Sequence, residues 1–200
     1  MLEFEKARDY VLERLSTELS PYLTYHCLAH TRDEVVPASD KLAGLEKVGE
    51  ESRILLLTSA YFHDLGFIHQ RQNHEQISIH LAEEALPGFG YSDAQITTIR
   101  GIIQATQLPQ SPTNLLENII ADADMDELGN ESFWKRSNDL RQELENFGTV
   151  FTDEGWYSNQ LQLLQSHNYF TASERKLRDA DKKTHIQELK DLLERVKQLK

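Results

Sequence analysis

The chain is short of cysteine. Cys27 stands alone among 200 residues, so no internal disulfide staples the fold, which fits a reducing compartment. Five prolines and nine glycines leave no room for low-complexity or linker segments. Basic residues are in deficit, 21 against 33 acidic, for a formal net charge of −12. A surface of that sign repels the phosphates of nucleic acid and of anionic membranes, so neither polymeric nucleic acid nor a membrane is an expected partner. A local basic pocket still leaves room for a small anion such as a nucleotide. No long hydrophobic run occurs either. The longest strongly apolar stretch, Ile54 to Phe62, is nine residues, against about 20 needed to span a bilayer. The first ten residues, MLEFEKARDY, are charged and lack the apolar stretch of a signal peptide. A cytoplasmic protein is expected.

What the sequence does have is helical periodicity. Phe4, Ala7, Val11, Leu12, Leu15 and Leu19 repeat at helical spacing and stop at Ser20-Pro21. Glu50 to Leu65 is nearly apolar through its middle and therefore predicts a central helix, with Gly66 as its left-handed C-terminal residue. Further helices are predicted over His74 to Leu86, from a Ser92 cap to about Gln107, and from a Thr113 cap to about Leu128, closed by Gly129. Three more cover Glu131 to Phe147, Trp156 to His167 and Ser173 to Lys200. No alternating strand pattern appears, so the fold class is all-α. A composition shift near residue 130 divides a chemical core, 1–130, from a more polar helical extension, 131–200, expected to pack on the same domain.

Two acidic signals sit near helix ends. In SAYFHDLGF, Asp64 continues the row Leu57, Ala60 and His63 the row Leu56, Ala60, so both face the buried side. An ionised carboxylate there is costly unless a cation balances it, and the negative end of the helix dipole favours one. In NIIADADMDELG, Asp124 continues the row Leu116, Ile120, whereas Asp122 and Asp126 fall on the polar side. An inward Asp on one helix and an inward His-Asp pair on another share one explanation, a metal ion. A third signal is His26 and His30, four residues apart, of which only one need be a ligand. Imidazole with carboxylate suits Mn, Fe, Co, Ni or Zn better than Mg alone.

A histidine followed by Thr and a Val pair, His-Asp after an apolar run, and Ala-Asp before a Leu-Gly helix end together resemble the HD superfamily of metal-dependent phosphohydrolases, over roughly residues 22–130. The stretch from Trp156 to Thr171 is similar to the tail of stand-alone bacterial members. The resemblance implies an HD-domain helical bundle with additional C-terminal helices, and a divalent cation held by His30, His63, Asp64 and Asp124. It implies cleavage of a phosphomonoester or phosphodiester of a small metabolite or nucleotide. The alternative is a metal-binding regulatory module without turnover. Members with two metals supply further histidines from the next two helices. His74 matches the first such place, and Thr106 stands at the second, so one metal is expected. Asp64 would bind the ion and orient the attacking water, and His74 would act on the phosphate or leaving group. Arg32, Arg71 and Arg100 are the candidate phosphate partners. His69, His80, His167 and His185 are read as structural or solvated.

Overall fold

The computed structural model describes residues 2–198, and all regular structure among them is helical, as the periodicity predicts. Contacts divide the chain into two units. One comprises the residues through Ser20 with His26–Asp124; the other comprises Pro21–Tyr25 with the residues from Met125 onward. No helix among the described residues is long and apolar enough to cross a membrane.

The first unit contains α1 (Phe4–Glu18), α2 (Val36–Leu45), α3 (Glu50–Phe62), α4 (His74–Ala85), α5 (Asp93–Gln104) and α6 (Leu115–Asp124). Its core gathers one apolar stripe from each of several helices: Ala7, Val11 and Leu15 from α1, Leu55 and Phe62 from α3, Ile79 and Ala82 from α4, Ile99 and Ile103 from α5. Helix α3 packs against α1, α2, α5 and α6, which explains why its middle is apolar on more than one side. Helix α6 lies among α2, α3 and α5 in the same way, and Ile119 to Ala123 are buried without a break. Asp122, expected on the polar side, is therefore fully buried. Neighbours enclose α6 from several directions, so a 3.6-residue period does not separate its inside from its outside.

Helix ends follow local chemistry. Ser92 caps α5 with a reciprocal capping box to Gln95. At α6 the cap is Asn114 rather than Thr113: the Asn114 side-chain oxygen accepts from the Glu117 N–H at 3.1 Å, while the Thr113 hydroxyl donates to the Glu117 carboxylate at 2.8 Å. Helix α6 stops at Asp124, short of Leu128, and a 3-10 turn over Asp126–Gly129 follows. Two elements lay outside the periodicity reading: α2, with Pro37 in its first turn, and a π-helical turn, His30–Val35, that runs directly into it.

The second unit holds α7 (Phe133–Asn146), α8 (Asp153–Ser166) and α9 (Ala172–Gln198) around Met125, Leu128, Phe133, Leu164 and Leu189. The expected continuation of α9 to Lys200 lies outside the described residues. The short segment before His26 belongs to this unit because its polar groups are satisfied there. The Tyr25 carbonyl accepts from Arg136 at 2.7 Å, its N–H donates to Glu143 at 2.9 Å, and its hydroxyl donates to Glu127 at 2.6 Å. The Arg136 guanidinium also covers the Tyr25 ring, 4.2 Å from its centroid.

Gly66 differs from its expected role. It lies inside a 3-10 turn, Leu65–Ile68, and is not in a left-handed conformation. Space explains the glycine: an added Cβ would stand 2.0 Å from the His74 carbonyl oxygen, and the Gly66 N–H donates to Ser78 Oγ at 2.8 Å. The turn after α3 is thereby seated on the first turn of α4. Gly66→Ala is expected to destabilise the protein by about 2–3 kcal/mol, in the range for overpacking a tight contact, measured by urea denaturation. An unchanged midpoint would show that the two elements separate freely.

Candidate metal centre

The residues that converge come from four places in the first unit. The π turn carries His30, the end of α3 carries His63 and Asp64, the last residue of α6 is Asp124, and α4 opens on His74. His30 and His63 are buried, at 2% and 0% exposure, and Asp64 is 5% exposed. Ligand atoms of His30, His63 and Asp124 lie within 4.8 Å of one another, close enough to hold one metal ion. His30 Nε2 is 3.2 Å from Asp124 Oδ1, and His63 Nε2 is 3.5 Å from the same oxygen. Asp64 Oδ2 stands 3.3 Å from His63 Nε2 and 3.8 Å from His30 Nε2. The other Asp64 oxygen, Oδ1, faces His74 Nε2 at 3.3 Å.

The far side of each imidazole is tied to an oxygen that can only accept. His63 Nδ1–H donates to the Ala60 carbonyl at 2.8 Å, His74 Nδ1–H to the Arg71 carbonyl at 3.1 Å, and His30 Nδ1–H to the Glu34 carboxylate at 3.0 Å. In each neutral ring the proton therefore sits on Nδ1, and the Nε2 lone pair points to the carboxylates. This is the tautomer a metal ligand needs. Two inward atoms, His63 Nε2 and Asp64 Oδ2, are buried with no hydrogen-bond partner. Buried polar atoms are rarely left so, and a cation among these donors satisfies both at once. The donor set fits a divalent metal of the imidazole–carboxylate class.

The remaining candidates distribute differently. His26 borders the cluster, its ring centroid 6.2 Å from that of His30 and 6.1 Å from that of His74, and stands outside the group that could share one ion. Its ring stacks on Phe67 at 4.2 Å between centroids, and Phe67 in turn packs on His74 at 4.0 Å. Phe67, which the sequence reading passed over, thus helps orient the His74 ring. Thr106 donates its hydroxyl to the Ile103 carbonyl at 2.9 Å. Of the three arginines, Arg32 is spent on Asp33 at 2.7–2.8 Å, and Arg100 is exposed, 3.9 Å from Glu83. Arg71 is the one whose backbone is joined to a residue of the cluster. His80 pairs with Glu84 on the surface, and His185 donates to the Leu128 carbonyl in the second unit. Glu34, four residues on from His30, is a further partner absent from the sequence reading.

No protein-family model and no curated protein matches this chain. A crystal structure described as a predicted HD superfamily hydrolase from an uncultured Thermotogales bacterium does, with a TM-score of 0.64 over 96% of this chain and 91% of that one, at 16% sequence identity. The chain has the HD-domain fold. The arrangement is thus an HD-domain helical bundle with additional C-terminal helices, the fold class expected.

Electrostatics in the cluster report the same need for positive charge. Burial opposes charging of His30, but its contacts with Asp124 and Glu34 outweigh that and hold its pKa up at about 9, from an ordinary 6.5. His63 is also raised well above its ordinary value: burial opposes, and the charge on Asp64 with contacts to Asp124 wins. Both carboxylates move the other way against their own burial. Asp64 is lowered by the charge and proximity of His63 and by His74, and Asp124 by its hydrogen bond to His30 and the nearness of His63. His74 is raised, its burial outweighed by Asp64. Without metal, protons on the histidines supply the balancing charge.

Metal and protons therefore compete. In stripped protein the raised histidines contribute stability that is full below pH 6.5 and lost as pH rises through about 9. Loaded protein needs proton-free imidazoles in the folded state, so its advantage grows as pH rises through 6.5. Urea midpoints measured from pH 6.5 to 9.5 should fall for stripped protein while the gap to metal-loaded protein widens. Parallel curves would contradict the assignment.

Proposed function

We propose that this protein is a metal-dependent phosphohydrolase acting on a small phosphorylated metabolite or nucleotide. The observation that carries the reading is the orphaned His63 Nε2, fully buried and aimed into a cluster whose other members are His30, Asp64 and Asp124. The order of these residues along the chain and the hydrolase description of the structural neighbour support the reaction class. His30, His63, Asp64 and Asp124 would hold the ion. When bound, a divalent cation supplies Lewis acidity toward a phosphoryl oxygen and acidifies water.

The protein's own groups divide the remaining work. Asp64 presents Oδ2 to His63 and His30, and Oδ1 to His74, so one carboxylate can bind on one side and orient a water on the other. Its lowered pKa keeps it ionised and able to accept a hydrogen bond from that water. His74, 17% exposed in its side chain, is the most accessible of the three imidazoles. Its Nδ1 proton is committed to the Arg71 carbonyl, so any second proton is held on Nε2, beside Asp64. Such a proton can be passed to a departing alkoxide. Phe67 fixes the ring for this role. With Thr106 in place of a further histidine, the donors support one ion rather than two.

The direct test is hydrolysis of a panel of phosphomonoesters and nucleotides by stripped protein reloaded with Mn, Co, Ni or Mg. Metal uptake with no turnover of any member would favour a regulatory module instead. Asp64→Ala is expected to lose both metal content and activity, and a full equivalent of metal in that variant would contradict the ligand assignment. His74→Ala is expected to lower turnover by about 100-fold or more while metal affinity changes little. Equal loss of both would make His74 a ligand.

A further inference from the structure

We propose that Glu34 is a positioning residue for the cation site, locking His30 with its Nε2 lone pair directed at Asp124 and Asp64; the proposal rests on reading that cluster as a cation site. The pair, four residues apart, lies within the π turn His30–Val35. Widening the turn to i→i+5 bonding brings residue i+4 nearly back above residue i, closer than the offset of an ordinary α-helix. It also buries two residues five apart, His30 and Val35, at 2% and 0% exposure, while Glu34 stays at the rim with its side chain 36% exposed. The Glu34 carboxylate thus reaches His30 Nδ1 at 3.0 Å from outside the core.

His63 and His74 have their Nδ1 protons hydrogen-bonded to neutral backbone carbonyls, with the Glu75 carboxylate standing off at 3.7 Å from His74 Nδ1, whereas His30 Nδ1 is hydrogen-bonded directly to a carboxylate. A charged acceptor makes the stronger hydrogen bond and raises the basicity of the opposite nitrogen. It also adds a negative charge just outside the donor set, which attracts the cation. Partners of this kind, behind a ligand, commonly change metal affinity by 10–100-fold when removed. Because Glu34 is at the rim, replacing it leaves the buried donors in place.

The experiment titrates stripped wild type, Glu34→Ala and Glu34→Gln with Zn(II) and Mn(II) against a chromophoric chelator. Alongside it, 15N side-chain spectra of the stripped proteins at alkaline pH, where the ring is neutral and no metal fixes its proton, report the His30 tautomer, which a merely structural role would not alter. Glu34→Ala is expected to weaken affinity by about 10–100-fold and to loosen the Nδ1–H assignment. Glu34→Gln keeps an accepting oxygen without the charge, so the tautomer is expected to recover and affinity to fall between the other two. Wild-type affinity in both variants overturns the positioning role alone. A wild-type protein that takes up neither metal overturns the cation reading and this proposal with it. Should the alanine variant fail to fold, the glutamine variant decides: weakened affinity supports the role and unchanged affinity removes it.

Discussion

Two carboxylates, buried Asp64 and partly buried Asp124, stand beside two enclosed imidazoles, and the charge they bring into the helical unit must be balanced where little water reaches it. An unpaired buried carboxylate costs several kcal/mol or more, enough to consume much of the stability of a domain this size. The elements of the first unit meet that demand with their ends rather than their middles. Asp124 is the final residue of α6, His63 and Asp64 follow the last turn of α3, and His74 is the first residue of α4. The carbonyl-rich ends of α3 and α6 add partial negative charge of their own, which favours a cation against the cost of burial. Protons on the histidines are the substitute when no metal is bound.

How much of this could be read from the chain depended on how many sides of each helix are covered. On α3 the residues before His63 are nearly all apolar, and the end of that run marked the His-Asp pair directly. Helix α6 has the same apolar character but is enclosed by α2, α3 and α5, so the row argument that singled out Asp124 placed Asp122 wrongly. Burial of five consecutive residues is a tertiary fact, and periodicity has no term for it. The π turn was illegible for a related reason: a 3.6-residue template skips an inserted residue instead of registering it, and Glu34 went with it. Gly66 was legible as a glycine that mattered, but its cause is the His74 carbonyl lying against it, a contact between segments that no local rule contains.

The backing of each imidazole shows how a helical scaffold can fix proton positions without spending side chains. Ala60 and Arg71 contribute only carbonyl oxygens, three residues before the histidine each one holds. Such carbonyls are left over wherever a helix ends or a turn begins, because no amide further along is in position to take them. Placing His63 and His74 next to helix termini therefore supplies both the acceptor and the open direction toward the cluster. His30 instead has a carboxylate behind its ring, offered by Glu34 in the wide turn.

The path of the backbone between the two units carries a practical consequence. The chain leaves the first unit after Ser20, returns at His26 four residues ahead of His30, and leaves again immediately after Asp124. No single cut can excise the first unit intact, since Pro21–Tyr25 is anchored among α7 side chains through Arg136 and Glu143. A fragment ending at the second crossing would also turn Asp124 into a chain terminus, setting a free main-chain carboxylate beside its side chain and adding a negative charge next to the cluster. Dissection at the boundary that contacts alone recommend would thus rewrite the electrostatics of the centre it was meant to isolate.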